Sequence, residues 1–470
     1  RPPRSTLFPY TTLFRSAVII AVPLHLHAQV AIDAMLAGKH VLTEKLMAKT
    51  VAECKLMGRI AKEKNLYLAT GHQRHYSVLY DNAVNLIKWG ALGELHHIRA
   101  QWHRGNLPGR DSWQMPLPGG EIPIGGQEKD RFDKIANGIK SLERQVKAEK
   151  DPVAKQMLEG KLAQYIAWDS DKSGGQERAL RHGFQGFELP AGHSRSALEE
   201  LCRWRLWERT GGGLMAELGS HQMDAAGIFC SALRQDGKKA QPLSVHAVGG
   251  RHIFGEDRQV EDHVYCTVEF PAPGYEDAFD VGYADPGTGA GKGAVPGYIE
   301  NDNKKIVVTY SSINGNGYGG YGEVVMGTKG TLVLEREYEV MLYKGSNTTT
   351  KVGVKEGQGG PTMDTQASGE AAPVAQAAQT GPVSRGYTEE IEHWAYCIRN
   401  PSPENKPRCE PKIALSDAVI ALTTNVAIRN GAKGGGGYIK FEDSWYDIDS
   451  DETPDGSDLK ETRARLVKTT

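Results

Sequence analysis

Two pairs of side chains carry most of the chemistry legible in this sequence. Glu44 and Lys45 follow directly on the apolar run Val41-Leu42-Thr43, so that an acid and a base close one strand-like segment. Far downstream, Glu217 and His221 sit four residues apart behind the triple glycine Gly211-Gly212-Gly213. On a helix that spacing places both on one face, where a carboxylate can hold an imidazole in one tautomer. Such a pair suits removal of a hydroxyl proton near neutral pH, and the same spacing equally describes a solvated helix pair. Flanking the first pair are Pro23-Leu24-His25 and Gly71-His72-Gln73-Arg74, each placed directly after another strand-like run.

The elements that must position these residues are regular from Ala17 onward. Ala17–Val22 is continuously apolar, the pattern of a strand buried on both faces of a parallel sheet, and Pro23 ends it. Residues Leu26–Ala37 read as a helix with Gly38 just past its end, and His40–Thr43 as the second strand. Thr50 and Glu53 form a capping-box pattern ahead of the next helix, and Leu66–Thr70 is the third strand. Two successive βαβ units make these strands parallel, and parallel sheets bind ligands beyond their carboxyl ends. Pro23-Leu24-His25, Glu44-Lys45 and the segment through Gln73-Arg74 are therefore expected along one edge.

Beyond a helix near Val78–Lys88 the pattern changes. Strand-like runs recur at Gly93–Arg104, Leu243–Ile253, His263–Phe270, Lys305–Ser311, Gly322–Met326, Thr331–Leu334 and Glu339–Tyr343. Glycine-rich turns between the later ones predict an α+β domain with a large, mostly antiparallel sheet. A polar insertion is expected over about 105–201, with a charged helical stretch around Lys129–Trp168, and a loop over about 346–385. Order returns at Thr388–Arg399, with Thr388 as N-cap, and at Pro411–Arg429, closed by Asn430-Gly431. The division expected is 17–92, 93–445 and a tail at 446–470. Arg1–Ser16, with its near-repeat Ser-Thr-Leu-Phe and Thr-Thr-Leu-Phe, resembles translated sequencing adapter and is set aside as a non-native leader.

Several motifs match by letter and fail by context. Gly315-Asn316-Gly317-Tyr318-Gly319-Gly320 fits G-x-G-x-x-G but lies between two strand-like runs, whereas a dinucleotide fingerprint opens a helix. In Gly287–Gly293, a phosphate-loop pattern, Pro286 holds the first glycine's place and Gly293 replaces the Ser/Thr that would meet magnesium. His25-x-His27, His72-x-x-His75 and His96-His97 invite a metal reading, but without a matching acid cluster no metal is expected. The balance of 56 Lys+Arg against 58 Asp+Glu gives no electrostatic case for nucleic acid or a membrane surface. No apolar run approaches the roughly 18 residues of a membrane span. Six scattered cysteines read as buried free thiols.

Taken together, Val18–His27, Ala37–Lys45, Gly90–Leu95 and Gly211–His221 resemble the glucose–fructose oxidoreductase / inositol dehydrogenase (Gfo/Idh/MocA) family. The resemblance implies a Rossmann-like parallel α/β sheet, here incomplete, followed by the α+β substrate domain. It implies NAD or NADP as cofactor and a sugar, polyol or related alcohol as substrate. By the family pattern Lys45 contacts the substrate hydroxyl and the nicotinamide region, His221 is the general acid/base, and Glu217 stands where an Asp is usual. Pro23, Leu24 and His25 would line the nicotinamide ribose, with Glu44, Gln73 and Arg74 also on the cofactor edge. Leu46 stands where members usually carry Pro. The opening strand, glycine-rich phosphate loop and ribose-binding acid of the family do not precede Ala17. The resemblance therefore implies an N-terminally truncated chain, without the segment that would distinguish cytoplasmic from exported protein. An NAD-dependent glycosidase and a non-catalytic carbohydrate-binding relative remain as alternatives, and open strands leave room for a homo-oligomer.

Overall fold

Short apolar strands separated by capped helices build the first part of the chain. The computed structural model describes residues 16–467 apart from 124, 190–191, 193, 235, 237, 274, 276–303, 345–352, 358–359, 365–374 and 377–383. Strand β1 (Ala17–Ile20) leads through a 3₁₀ turn, Leu24–Leu26, into helix α1 (His27–Leu36). Gly38, at φ +72°, takes the left-handed position past its end. Strand β2 (His40–Glu44) is followed by α2 (Val51–Glu63), where the Thr50 hydroxyl accepts from Glu53 N and the Glu53 carboxylate accepts from Thr50 N. Strand β3 (Leu68–Gly71) and helix α3 (Val78–Lys88) complete this part.

The three strands pair in parallel in the order β1-β2-β3, as two βαβ units require. One expectation fails. Ile19 is 51% exposed, and only Ile20 of β1 is buried. Among the described residues β1 has no strand on its outer edge, so its apolar run is an edge and not a centre.

Strand β4 (Leu95–Trp102) opens the large sheet. The chain divides into two compact units, and β4 belongs with Arg1–Gly105, Leu214–Gly250 and Asp262–Thr470. The other unit, Asn106–Gly213 with Arg251–Glu261, covers most of the expected insertion. Its charged stretch is two helices, α4 (Lys134–Ala148) and α5 (Pro152–Ser170), each capped by an aspartate, Asp133 and Asp151. Helix α6 (Gly175–Arg181), the two-residue strands β5 (Phe187–Glu188) and β6 (Ser194–Arg195), and helix α7 (Ala197–Cys202) follow. Within this unit buried Arg203 meets Glu199 and Glu121, and buried Arg258 meets Asp111 and Asp257.

In the first unit a π-helical turn, Met215–Gly219, runs into α8 (Ser220–Ser231). Strands β7 (Ser244–Gly250), β8 (His263–Pro271), β9 (Lys305–Ile313), β10 (Tyr321–Gly327), β11 (Gly330–Glu335) and β12 (Glu339–Lys344) then join β4. Burial alternates strictly along β9 and β11, so one face of this sheet is covered. The expected loop over about 346–385 contains, where described, a hairpin of β13 (Gly353–Gly357) and β14 (Gly360–Asp364), and a strand β15 (Ala375–Gln376). Residues 287–293 and the leader up to residue 15 lie outside the described residues.

Helix α9 (Tyr387–Arg399) begins one residue before Thr388, and its N-cap is Gly386 at φ +95°. A Cβ at 386 would lie 2.1 Å from Gln73 O, so glycine there lets α9 start directly against the β3 loop. Helix α10 (Pro411–Ala432) runs through Asn430-Gly431 instead of stopping there. By length and composition it could cross a bilayer, yet 78% of its apolar window is buried in this fold, where it packs on α2, α8 and β7. Strand β16 (Tyr438–Lys440) completes a nine-stranded sheet, β15-β12-β11-β10-β4-β9-β8-β7-β16, antiparallel throughout except between β4 and β9. The C-terminal segment is anchored on α2. Helices α11 (Asp443–Tyr446) and α12 (Leu459–Leu466) lie there, and buried Lys55 donates to the carbonyls of Ser444, Ser450 and Glu452. All six cysteines are free thiols, five of them buried.

Candidate active site

The strand ends converge as the register dictates, with Ile20 beside Thr43 and Glu44 beside Gly71. His27, buried at the start of α1, has Nδ1 2.9 Å from Leu46 O and Nε2 2.9 Å from Val22 O. Its ring thus joins the turn after β1 to the turn after β2, where the Lys45–Leu46 peptide bond is cis. Leu24 is buried, Pro23, His25 and Lys45 are half-buried, and Glu44 is exposed. A Cβ at position 71 would meet Glu44 Oε2 at 3.3 Å, so Gly71 lets the β2 and β3 ends lie close. This open, polar edge fits the nicotinamide end of a dinucleotide.

Lys45 brings the two parts of the site together. Its Nζ donates to the carbonyl oxygens of Glu217 at 2.6 Å and Ala216 at 3.4 Å, on the π turn ahead of His221. The expected pairing of Glu217 with His221 is altered there. A π turn closes bonds from i to i+5, so side chains four apart no longer stack directly. Glu217 serves Lys45 through its backbone carbonyl, and His221 Nδ1 is buried with no hydrogen-bond partner. The His221 imidazole is held well below the usual histidine range, chiefly by burial and then by the positive charges of Lys45 and Arg74, while Asp224 acts in the opposite sense.

Gln73 and Arg74 do not stand on the open edge. Gln73 is buried and donates to the Tyr387 hydroxyl at 3.3 Å. Arg74 is 1% exposed and spans Glu337, Glu323 and the carbonyl of His221, the last at 2.5 Å. It is a strut beneath the histidine. A planar guanidinium forks between two carboxylates, and the chain supplies both.

Three features escape the sequence reading. Trp102, at the end of β4, lies 5.4 Å from the His221 ring and stacks on Tyr321 at 4.5 Å, forming an aromatic wall. Asp224, Asp417 and His72 form the single group of potential metal ligands among the described residues, but Lys239 Nζ lies 2.6 Å from Asp224 Oδ1 and 2.5 Å from Asp417 Oδ1. An ammonium already supplies the cation. Of these residues Asp224 had a readable signal, since His221 and Asp224 are i and i+3 on one helix.

The third is Glu390 on α9. Burial, with the carboxylates of Glu44 and Asp224 adding to it, raises its carboxyl to about 8. In the unfolded chain a glutamate titrates near about 4.3. The folded state therefore holds the proton more tightly, and stability should fall as pH rises between those two values. Glu390→Gln should remove up to about 1.4 kcal/mol per pH unit of that slope. In urea unfolding the variant should exceed the wild type near about pH 9 and match it near about pH 4. Parallel stability curves would show an ionised Glu390.

The profile of the oxidoreductase family with an NAD-binding Rossmann fold, Gfo/Idh/MocA, matches residues 13–72. Residues 13–72 thus resemble the NAD-binding domain of that family. An uncharacterized oxidoreductase of Schizosaccharomyces pombe is 35% identical over 103 residues, 22% of this chain and 28% of that one. Levoglucosan dehydrogenase of Pseudarthrobacter phenanthrenivorans is 39% identical over 87 residues, 18% of this chain and 22% of that enzyme. The aligned stretch of this chain thus spans less than a third of either relative. The crystal structure of an oxidoreductase domain protein from Kribbella flavida shares the fold, with a TM-score of 0.50 and 14% identity over 92% of this chain and 83% of that one.

Proposed function

We propose that this chain is an NAD(P)-dependent oxidoreductase acting on a sugar, polyol or related alcohol. The observation that carries the reading is the meeting of Lys45, from the strand-end edge, with the backbone one turn ahead of a half-buried His221. The family match over residues 13–72 supports it, and so does the relative named levoglucosan dehydrogenase.

Pro23, Leu24, His25, Glu44 and Lys45 would hold the nicotinamide end, and a bound nicotinamide would supply the hydride acceptor. Lys45 directs a positive charge at the substrate oxygen, where negative charge grows as its proton leaves. His221, kept neutral by its surroundings, takes that proton. Arg74 fixes the height of His221 through its carbonyl, and Trp102 with Tyr321 excludes water from one side. Glu217 orients Lys45 through the main chain. The opposite face of the nine-stranded sheet exposes Val248 and Tyr265, an apolar surface that supports a homo-oligomer.

The test is reduction of NAD+ or NADP+ in the presence of a panel of sugars and polyols. Lys45→Met and His221→Asn should each lower kcat by on the order of 10²-fold, with cofactor binding kept in His221→Asn. Turnover unchanged in both variants would sink the assignment. Sugar release at constant cofactor would instead favour the glycosidase reading.

A further inference from the structure

His221 is a poor place to leave a proton. It is half-buried with its Nδ1 sealed from solvent, and the cations Lys45 and Arg74 face it from the β2 end and the turn after β3. If it takes a proton from substrate, as proposed above, that proton must move on before the next turnover.

The nearest titratable ring is His72, whose centroid lies 6.3 Å from that of His221 in an edge-on arrangement. One bridging water or a small ring rotation spans such a gap. His72 is wholly buried, and neither ring nitrogen has a hydrogen-bond partner. Nevertheless Nδ1 faces Asp224 Oδ2 at 3.6 Å and Nε2 faces Asp417 Oδ2 at 3.8 Å, two carboxyl oxygens that also lack partners. The other oxygen of each carboxyl is on Lys239. Asp224 Oδ1 has a second contact, 2.7 Å to Nε2 of His75, whose side chain is 14% exposed. The four groups His221, His72, Asp224 and His75 therefore run in sequence from the buried site to the surface.

We propose that His72, Asp224 and His75 form a relay carrying the substrate proton from His221 to solvent. With a nicotinamide bound as the hydride acceptor, the substrate hydroxyl proton would pass to a ring nitrogen of His221. His221 returns to neutral by giving a proton to His72, and His72 releases the proton on Nδ1 to Asp224 Oδ2. The Asp224 carboxyl turns and delivers it to His75 Nε2, and His75 loses a proton to water from its outer nitrogen. Charge and protons balance at each hand-over; His72 and His75, each taking a proton on one ring nitrogen and losing one from the other, end as the opposite tautomers, and a ring flip or a second exchange with water resets them.

Electrostatics around the relay favours passage over storage. Burial, with Lys239, His75 and Lys45 adding to it, lowers His72 to about 3 against the pull of Asp224. Burial alone would raise Asp224, but His75, Lys239 and His72 outweigh it and keep this carboxyl ionised, so that a proton it takes is passed on and not held. Asp417, which has no His75, is driven the other way by burial, against the pull of Lys239, with its neighbour Asp224 adding to the rise.

The relay predicts behaviour that packing alone does not. In the full chain with ¹⁵N-labelled histidine, the His72 ring proton should exchange with water faster than that of His27, which is just as buried but bonds only to carbonyls. His75→Gln should slow that exchange by roughly tenfold or more while the unfolding midpoint stays within the range of a surface change. In turnover, His75→Gln and His72→Asn should lower kcat several-fold with KM unchanged, raise the solvent deuterium isotope effect, and recover with added imidazole. Unchanged exchange of the His72 proton in His75→Gln would overturn the relay, whatever the kinetics. Loss of the His221 assignment would show separately, as full turnover in His221→Asn.

Discussion

Lys239→Met should destabilise the protein by about 3–5 kcal/mol, the range for breaking a buried ion cluster from one side. Lys239 reaches Asp224 on α8 and Asp417 on α10 with all three groups buried, and its removal strands two carboxyl oxygens in the core. The lysine stem needs Gly227 beneath it, since a Cβ there would lie 2.6 Å from Lys239 Cε. Urea unfolding should show a lower midpoint at unchanged slope. Adding Asp417→Asn should restore part of the loss, because a neutral amide removes the carboxyl most in need of the ammonium. A loss under about 1 kcal/mol for Lys239→Met would mean the cluster is hydrated like a surface pair.

Arg74→Met should cost a similar amount, about 3–5 kcal/mol, for the same reason on the other side of the site. Its guanidinium meets Glu337 at 2.9 Å and Glu323 at 3.1 Å. Glu337 keeps Arg385 as a second cation and is held low, against the effect of its burial, by both guanidinia. Glu323 keeps only the neutral donors Tyr80 and Gln222, and burial already raises its carboxyl. Most of the loss should therefore fall on Glu323, and Glu323→Gln should recover stability in the Arg74→Met background. Arg74→Lys should rescue little, because a compact ammonium does not reproduce the spread of the planar guanidinium, whose Nε meets Glu337 while Nη1 meets Glu323 and the His221 carbonyl. Equal stability of Arg74→Lys and wild type by urea unfolding would refute the strut.

The local grammar of this chain was legible. Apolar runs, the Thr50–Glu53 capping box and Gly38 located the parallel units, and alternating burial along β9 and β11 follows the period of two in their residues. The G-x-G-x-x-G match was rightly discounted, since 315–320 forms the turn between β9 and β10. Errors arose where a pattern states that a residue is buried without stating against what. Ala17–Val22 reads as buried on both faces, yet of β1 only Ile20 is buried, and Thr388 reads as a cap where Gly386 fits closer to Gln73. The Glu217–His221 spacing assumed an α turn, and the chain makes a π turn there.

Sequence by itself determined the fold class, the strand-end edge with Glu44 and Lys45, and the histidine behind the triple glycine, because helix caps, strand period and βαβ handedness are properties of neighbouring residues. Only the tertiary structure decided that Arg74 supports His221 and that Lys239 joins Asp224 to Asp417. Those contacts unite residues up to 178 apart in the chain. A buried charge in an apolar helix, such as Asp417 in α10, announces that it needs a partner, but its own segment does not encode which one. Packing selects it, since in a low-dielectric interior each charge is stable only beside the group that neutralises it.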